Sequence, residues 1–128
     1  MEKFSKSLKL MGNIFTITVV SEDAIFAEEN IQLAIQEIQR IEALFTTYNN
    51  ESQTNLINSN AGIEPVKVDE EVFNLIQRSL HISKITQGAF DISYGSIDKS
   101  LWNFDKTMTS LPSSETAKKM VHLINYNN

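Results

Sequence analysis

Apolar and polar positions partly alternate over residues 4–10, and Ile14-Phe15-Thr16-Ile17-Thr18-Val19-Val20 is dense in β-branched and aromatic side chains, which suit a pleated, half-buried surface. Two strands are predicted. Between them Met11-Gly12-Asn13 supplies residues that tolerate positive φ, so a tight reversal is cheap there. Ser21-Glu22-Asp23 then offers capping oxygens and carboxylates for the positive end of a helix. In that helix Ile31, Ala34, Ile38, Ile41 and Phe45 recur every three or four residues, while Glu28, Gln32, Gln36, Gln39 and Glu42 fill much of the other face. The spacing predicts an apolar stripe packed on the hairpin.

The polar run from Thr46 to Gly62 reads as a long connection with one short helical turn near Leu56-Ile57, and its aromatic, Tyr48, stands out because long loops in small domains tend to carry function. Pro65-Val66-Lys67-Val68 reads as a short strand, and Asp69 caps a second helix with Val72, Phe73, Ile76 and Leu80 on its apolar side and Gly88 as terminator. After Gly88-Ala89-Phe90-Asp91-Ile92-Ser93-Tyr94-Gly95 and Leu101-Trp102-Asn103-Phe104, the run Pro112-Ser113-Ser114-Glu115 starts a third helix, with Ala117, Met120, Val121 and Ile124 as its apolar side. No internal repeat is present. These elements predict an α+β fold: an antiparallel hairpin and at least one further short strand, covered by two to three amphipathic helices.

Composition narrows the class. With 128 residues the length suits one domain, and 41% hydrophobic against 21% charged residues with 4 Gly and 2 Pro excludes disordered and low-complexity classes. Eleven basic against 16 acidic residues give a net charge of −5, and no basic cluster exceeds Lys118-Lys119, so nucleic acid is not an expected partner. The absence of cysteine excludes disulfides, thiolate metal sites and thiol nucleophiles. No apolar stretch is long enough for a signal-peptide core or a membrane span.

Generic catalytic motifs are missing: there is no Gly-x-Gly-x-x-Gly, Walker loop, His-Glu-x-x-His or Gly-x-Ser-x-Gly. His81 and His122 sit in predicted helices without close partners, and the acidic groups Glu22-Asp23, Glu28-Glu29 and Asp69-Glu70-Glu71 lie near helix N-termini, where the backbone dipole accounts for them. No catalytic residue and no metal ligand is assigned. Two segments invite a ligand reading beside a plain turn reading. Met11-Gly12-Asn13 marks a hairpin tip, and Gly88-Ala89-Phe90-Asp91 places small residues around an aromatic ring and a carboxylate. Small residues permit close approach of a flat ligand, and Asp91 can accept from ribose or ring N–H groups.

Taken in order, Met11-Gly12, Tyr48, Ser52, Asn58 and the Gly88 to Gly95 segment, continued by Ser96 to Asp105, resemble the FAD:protein FMN transferase (ApbE) family over essentially the whole chain. The Gly-Ala-Phe-Asp run is the most specific part. The resemblance implies that residues 1–128 are the N-terminal portion of a flavin transferase domain, with Met11, Tyr48, Ala89, Phe90 and Asp91 contacting FAD and Tyr48 stacking on the isoalloxazine. It further implies transfer of FMN from FAD to a Thr hydroxyl of a target flavoprotein, with Mg²⁺ in the intact protein, and a periplasmic or cell-envelope location.

The chain departs from the family pattern at three places. Asn13 stands where relatives usually have Thr, and Asn55-Leu56 replaces a Ser-Arg pair. Relatives are more than twice as long, and their later Gly-rich segment and the Asp and Thr ligands for magnesium have no counterpart here. The 128 residues alone are therefore expected to be inactive and, with apolar surface left uncovered, to self-associate or to be poorly stable. The alternative reading is a non-catalytic flavin-binding or interaction fragment.

Overall fold

The computed structural model describes residues 1–98 and 110–127, so the Leu-Trp-Asn-Phe stretch at 101–104 lies outside the described residues. Contacts within the chain group into two compact units, Met1–Val68 and Asp69–Asn128.

In the first unit the predicted strands form an antiparallel hairpin, β1 (Glu2–Leu10) and β2 (Asn13–Ser21), in a register running from Glu2 opposite Ser21 to Leu10 opposite Asn13. The two loop residues are Met11 (φ 49°) and Gly12 (φ 76°). This pair of positive φ values has the sign pattern of a type I′ turn, whose twist matches that of the strands. Of the three residues expected at the reversal, Met11 and Gly12 make the turn, with Met11 the strained one, while Asn13 already belongs to β2.

Phe4, Leu8 and Leu10 of β1 share the inner face with Phe15, Ile17 and Val19 of β2, each buried or half-buried, and α1 (Ala24–Phe45) packs against both strands. Asp23 caps α1, its carboxylate accepting from the N–H groups of Ile25 and Phe26 at 2.8 and 3.1 Å, which satisfies two donors left free at a helix start. The deepest positions of α1 are Ala27, Ile31 and Ile35. Ala34, Ile38, Ile41 and Phe45 are half-buried beside them, so the apolar stripe is placed as predicted but starts a turn earlier.

The polar connection contains more helix than its composition suggests. Ser52 caps α2 (Gln53–Asn60) by accepting from the Asn55 N–H at 3.1 Å, giving two turns where one was expected. Residues 65–68, read as a strand, have no strand partner among the described residues. Val66 and Val68 are half-buried and Pro65 and Lys67 exposed, so the alternation that suggested a strand is present. A strand is nevertheless defined by its ladder, and Pro65 has no N–H to contribute to one.

The second unit begins with α3 (Glu70–Ile85), capped at Asp69 with Glu70 and Glu71 in its first turn. Its buried side runs through Val72, Ile76, Ser79 and Ser83, while Phe73 and Leu80, predicted as core, are exposed. The hydroxyl of Ser83 donates to the Ser79 carbonyl at 3.0 Å, so a polar residue is buried there without an unmet hydrogen bond. Gln87 and Gly88 take positive φ, and the Gly88 N–H reaches the Ser83 carbonyl at 2.9 Å, a helix stop that spends glycine's freedom where the sequence placed it. A 3-10 turn (Ile92–Ser96) and α4 (Ser114–Val121), capped by Ser113, complete the described elements. No described helix is long and apolar enough to cross a membrane.

Candidate functional site

The Gly-Ala-Phe-Asp run is folded by local chemistry. As α3 ends, the Thr86 hydroxyl donates to the Ile82 carbonyl at 2.8 Å and accepts from the Phe90 N–H at 3.2 Å, so one side chain closes the helix and fixes the start of the turn. Asp91 is the cap of the 3-10 turn. Its Oδ1 accepts from the Ser93 N–H at 2.9 Å and from the Ser93 hydroxyl at 2.7 Å, and its Oδ2 accepts from the Tyr126 N–H at 3.0 Å. Ser93 Oγ in turn accepts from the Asn125 N–H at 2.8 Å. Asp91 and Ser93 together tie the signature turn to the segment after α4.

The Ser93 hydroxyl holds the Asp91 carboxyl below its ordinary value of 3.8, opposed by burial and aided by the Ser93 and Tyr126 N–H groups. Asp91 is ionised at neutral pH and acts only as an acceptor. Among the described residues Oδ1 has two donors and Oδ2 one, which leaves Oδ2 room for a further donor.

Gly88, Ala89, Phe90 and Asp91, with Tyr94 and Ile124, line an open recess of about 360 Å³, within the size range of small-molecule sites. Phe90 and Tyr94 each leave about half their surface to solvent, at 45% and 50%. A Cβ on Gly88 would lie 3.6 Å from the Tyr126 ring, an ordinary contact, so φ of +82° and not crowding is what demands glycine there.

Met11 and Tyr48 belong to the first unit, where both lie near the C-terminal end of α1. The Met11 N–H donates to Glu42 Oε1 at 3.0 Å, which fastens the hairpin tip to the last turns of that helix. Tyr48 follows the helix in a loop pinned by Asn55, whose Nδ2 donates to the Thr47 and Asn49 carbonyls at 3.1 and 2.7 Å. The Ser52 hydroxyl adds a 2.6 Å bond to the Thr46 carbonyl. The tyrosine itself is 94% exposed, an aromatic face on a hydrogen-bonded loop. Ser52, quoted for the resemblance, is buried as a helix cap, whereas Asn58 is exposed.

Of the five residues expected to contact one ligand, the structure places Ala89, Phe90 and Asp91 in one recess of the second unit, and Met11 and Tyr48 near the end of α1 in the first. The sequence reading missed Ile124 as a wall of the recess, because only the tertiary return of the chain brings that residue beside Gly88. It also missed Ser93, although Asp-x-Ser is a recognisable pattern in which an Asp side chain bonds two residues ahead. His81 and His122 are both exposed. Among the described residues no three His, Asp or Glu side chains converge as a metal site.

The chain is similar to known proteins in sequence and in fold. A profile of the family described as "ApbE family" matches residues 11–128. An FAD:protein FMN transferase of Klebsiella pneumoniae (strain 342) is 36% identical over 109 residues, covering 85% of this chain and 33% of that protein. Another, of Salmonella typhimurium, is 33% identical over 97 residues, covering 75% and 27%. The structure of the ApbE protein of Thermotoga maritima superposes with a TM-score of 0.85 at 26% identity, over 99% of this chain and 41% of that one. The flavin transferase ApbE of Vibrio cholerae shares the fold, with a TM-score of 0.80 at 19% identity over 98% and 41%. The chain spans about a third of the length of the curated relatives it matches.

Proposed function

The chain belongs to the ApbE family, and from that premise we propose that it is the flavin-facing, N-terminal portion of an FAD:protein FMN transferase domain. In the reaction proposed for the intact protein, a Thr hydroxyl of a target protein attacks the FAD pyrophosphate at the FMN phosphorus. The bond to the AMP phosphate breaks, leaving phosphoester-linked FMN on the target and releasing AMP. Such transfer depends chiefly on placing the phosphates and neutralising developing charge, and Mg²⁺ is the expected agent in the family. The described residues offer no cage for it, so no step is assigned to a metal here. The cell-envelope location stays a family expectation.

The observation that carries this reading is the recess behind Gly88, with Phe90 and Asp91 in its wall. Phe90 and Tyr94 present partly exposed aromatic rings suited to a large flat π-system, Ala89 keeps the backbone approachable, and the ionised Asp91 accepts from a hydroxyl or ring N–H. Tyr48 and Met11, in the first unit, are assigned to FAD by the family resemblance alone, Tyr48 with an exposed ring suited to stacking on an isoalloxazine.

Two measurements test the proposal. FAD is expected to raise the melting temperature of the chain, as any ligand that prefers the native state must, and Phe90→Ala should abolish the rise. A rise of equal size in the variant would remove the recess from the flavin site. Separately, the chain incubated with FAD, Mg²⁺ and an acceptor protein should leave the acceptor unlabelled. Covalent flavin fluorescence on the acceptor would show that these residues suffice for transfer.

A further inference from the structure

The Ser93 hydroxyl stands between two segments that wall the recess. It donates to Asp91 Oδ1 at 2.7 Å and accepts from the Asn125 N–H at 2.8 Å, and Asn125 directly follows the wall residue Ile124. The next N–H along, that of Tyr126, reaches Asp91 Oδ2 at 3.0 Å. One side chain thus joins the signature turn to a segment 32 positions further on, and it does so at the carboxylate.

The direction of these bonds is fixed from both ends. A peptide N–H can only donate, so Asn125 takes a lone pair of Ser93 Oγ and leaves the hydroxyl proton for Asp91. An ionised carboxylate can only accept, so Asp91 calls for that same proton. The order N–H to hydroxyl to carboxylate has no reversed alternative, and each donor polarises the next. The Ser93 N–H lands on the same Oδ1 at 2.9 Å, so residue 93 serves one oxygen and the segment after α4 serves the other. Of these three donors, only the hydroxyl belongs to a side chain that substitution can remove.

Resting on the flavin reading of the recess, we propose that Ser93 is a positioning residue for flavin binding: its hydroxyl fixes the direction in which Asp91 presents its carboxylate to a donor group of the ligand. Among the described residues the recess is lined by Gly88, Ala89, Phe90, Asp91, Tyr94 and Ile124, and not by Ser93, so Ser93 acts through Asp91 rather than by touching the ligand. An acceptor already held in place costs less on binding than one that must be ordered at that moment. Loss of the hydroxyl leaves two backbone N–H groups on the carboxylate, enough to keep the turn while the side chain gains freedom.

The first test needs no ligand. Followed by NMR through its carboxyl carbon in the chain without FAD, the Asp91 titration should move up toward 3.8 in Ser93→Ala and stay in place in Ser93→Thr, which keeps the hydroxyl. With FAD, calorimetry at neutral pH should show binding weakened by about three- to tenfold in Ser93→Ala and restored in Ser93→Thr. In an Asp91→Ala background, Ser93→Ala should cost nothing further, because the group it positions is gone. Ser93→Cys, close to serine in size and only a weak donor, repeats each measurement should the alanine turn not fold.

An unmoved Asp91 titration, equal losses of FAD binding with and without the Asp91 carboxylate, or a Ser93→Thr variant no better than Ser93→Ala would each overturn the proposal. A wild-type chain that takes up no FAD would sink the flavin reading instead, while the carboxyl titration still decides whether Ser93 governs Asp91.

Discussion

The hairpin sandwich of the first unit and the signature turn of the second are held by different physics. The first is an apolar sandwich of hairpin and α1, with Ala27, Ile31 and Ile35 buried and exposed ion pairs such as Lys6–Glu28 and Arg40–Glu37 on its surface. The signature turn of the second is held by directed hydrogen bonds, through Asp91 and Ser93 to the backbone of residues 125 and 126. Apolar burial is indifferent to pH and tolerant of small shifts. A carboxylate that gathers three donors is neither, and it holds a glycine-bearing turn in one shape beside the recess.

The contrast can be broken most strongly at Ile31, which is 1% exposed. Ile31→Ala should cost about 2–5 kcal/mol, the range for truncating a buried aliphatic side chain, read as a lower urea midpoint with an unchanged slope. A cost below about 1 kcal/mol would mean that the first unit is not held by that core.

Acid should separate the units next. The Asp91 pKa is depressed on folding, so its stabilising contribution is present above its ordinary 3.8 and is lost as pH falls through the lower folded value. Amide exchange at Ser93 and Tyr126 should therefore accelerate as pH is lowered past 3.8, beyond the intrinsic pH dependence, and Asp91→Asn should show the accelerated exchange already at neutral pH. In the first unit Glu28 and Glu37 are also depressed, Glu28 by Gln32 and then Lys6, Glu37 by Arg40. Both are exposed, so their protonation should cost little and exchange along α1 should stay slow. Equal loss of protection in both units would erase the distinction.

Smaller effects sharpen it. Met11 holds φ +49°, a region that costs a residue with a Cβ about 1–2 kcal/mol and that Asn enters more readily. Met11→Asn should stabilise the hairpin by about 1 kcal/mol, seen as a higher melting temperature without FAD. If Met11 also touches the flavin, the same variant should lose part of the FAD-dependent rise. Tyr48→Ala should leave stability within about 0.5 kcal/mol, as for most exposed positions, while reducing that rise. Destabilisation by more would show that Tyr48 serves its loop rather than a ligand.

Much of this was legible along the chain. The hairpin, the cap at Asp23, the stripe of α1, the stop at Gly88 and the start at Ser113 each depend on residues close in sequence, where periodicity, caps and turn chemistry act locally. Reading failed where the neighbour was distant. Phe73 and Leu80 kept helical spacing, yet α3 buries Val72 and Ser83 instead, because spacing defines several faces of a helix and only packing selects one. Residues 65–68 alternate like a strand but have no ladder partner among the described residues.

The candidate site divides in the same way. Gly88, Ala89, Phe90 and Asp91 were visible as a run of unusual composition, since small residues around one ring and one carboxylate need no fold to be noticed. That Asp91 also holds the backbone of Tyr126, and that Ile124 closes the recess, could not be read there, because those contacts join residues more than thirty positions apart. The amino-acid order by itself determined the local elements and the ligand-suited turn, through short-range backbone and side-chain preferences. The tertiary structure alone decided which helix face is buried and which side chains share a wall, because burial and convergence depend on what the rest of the chain brings alongside.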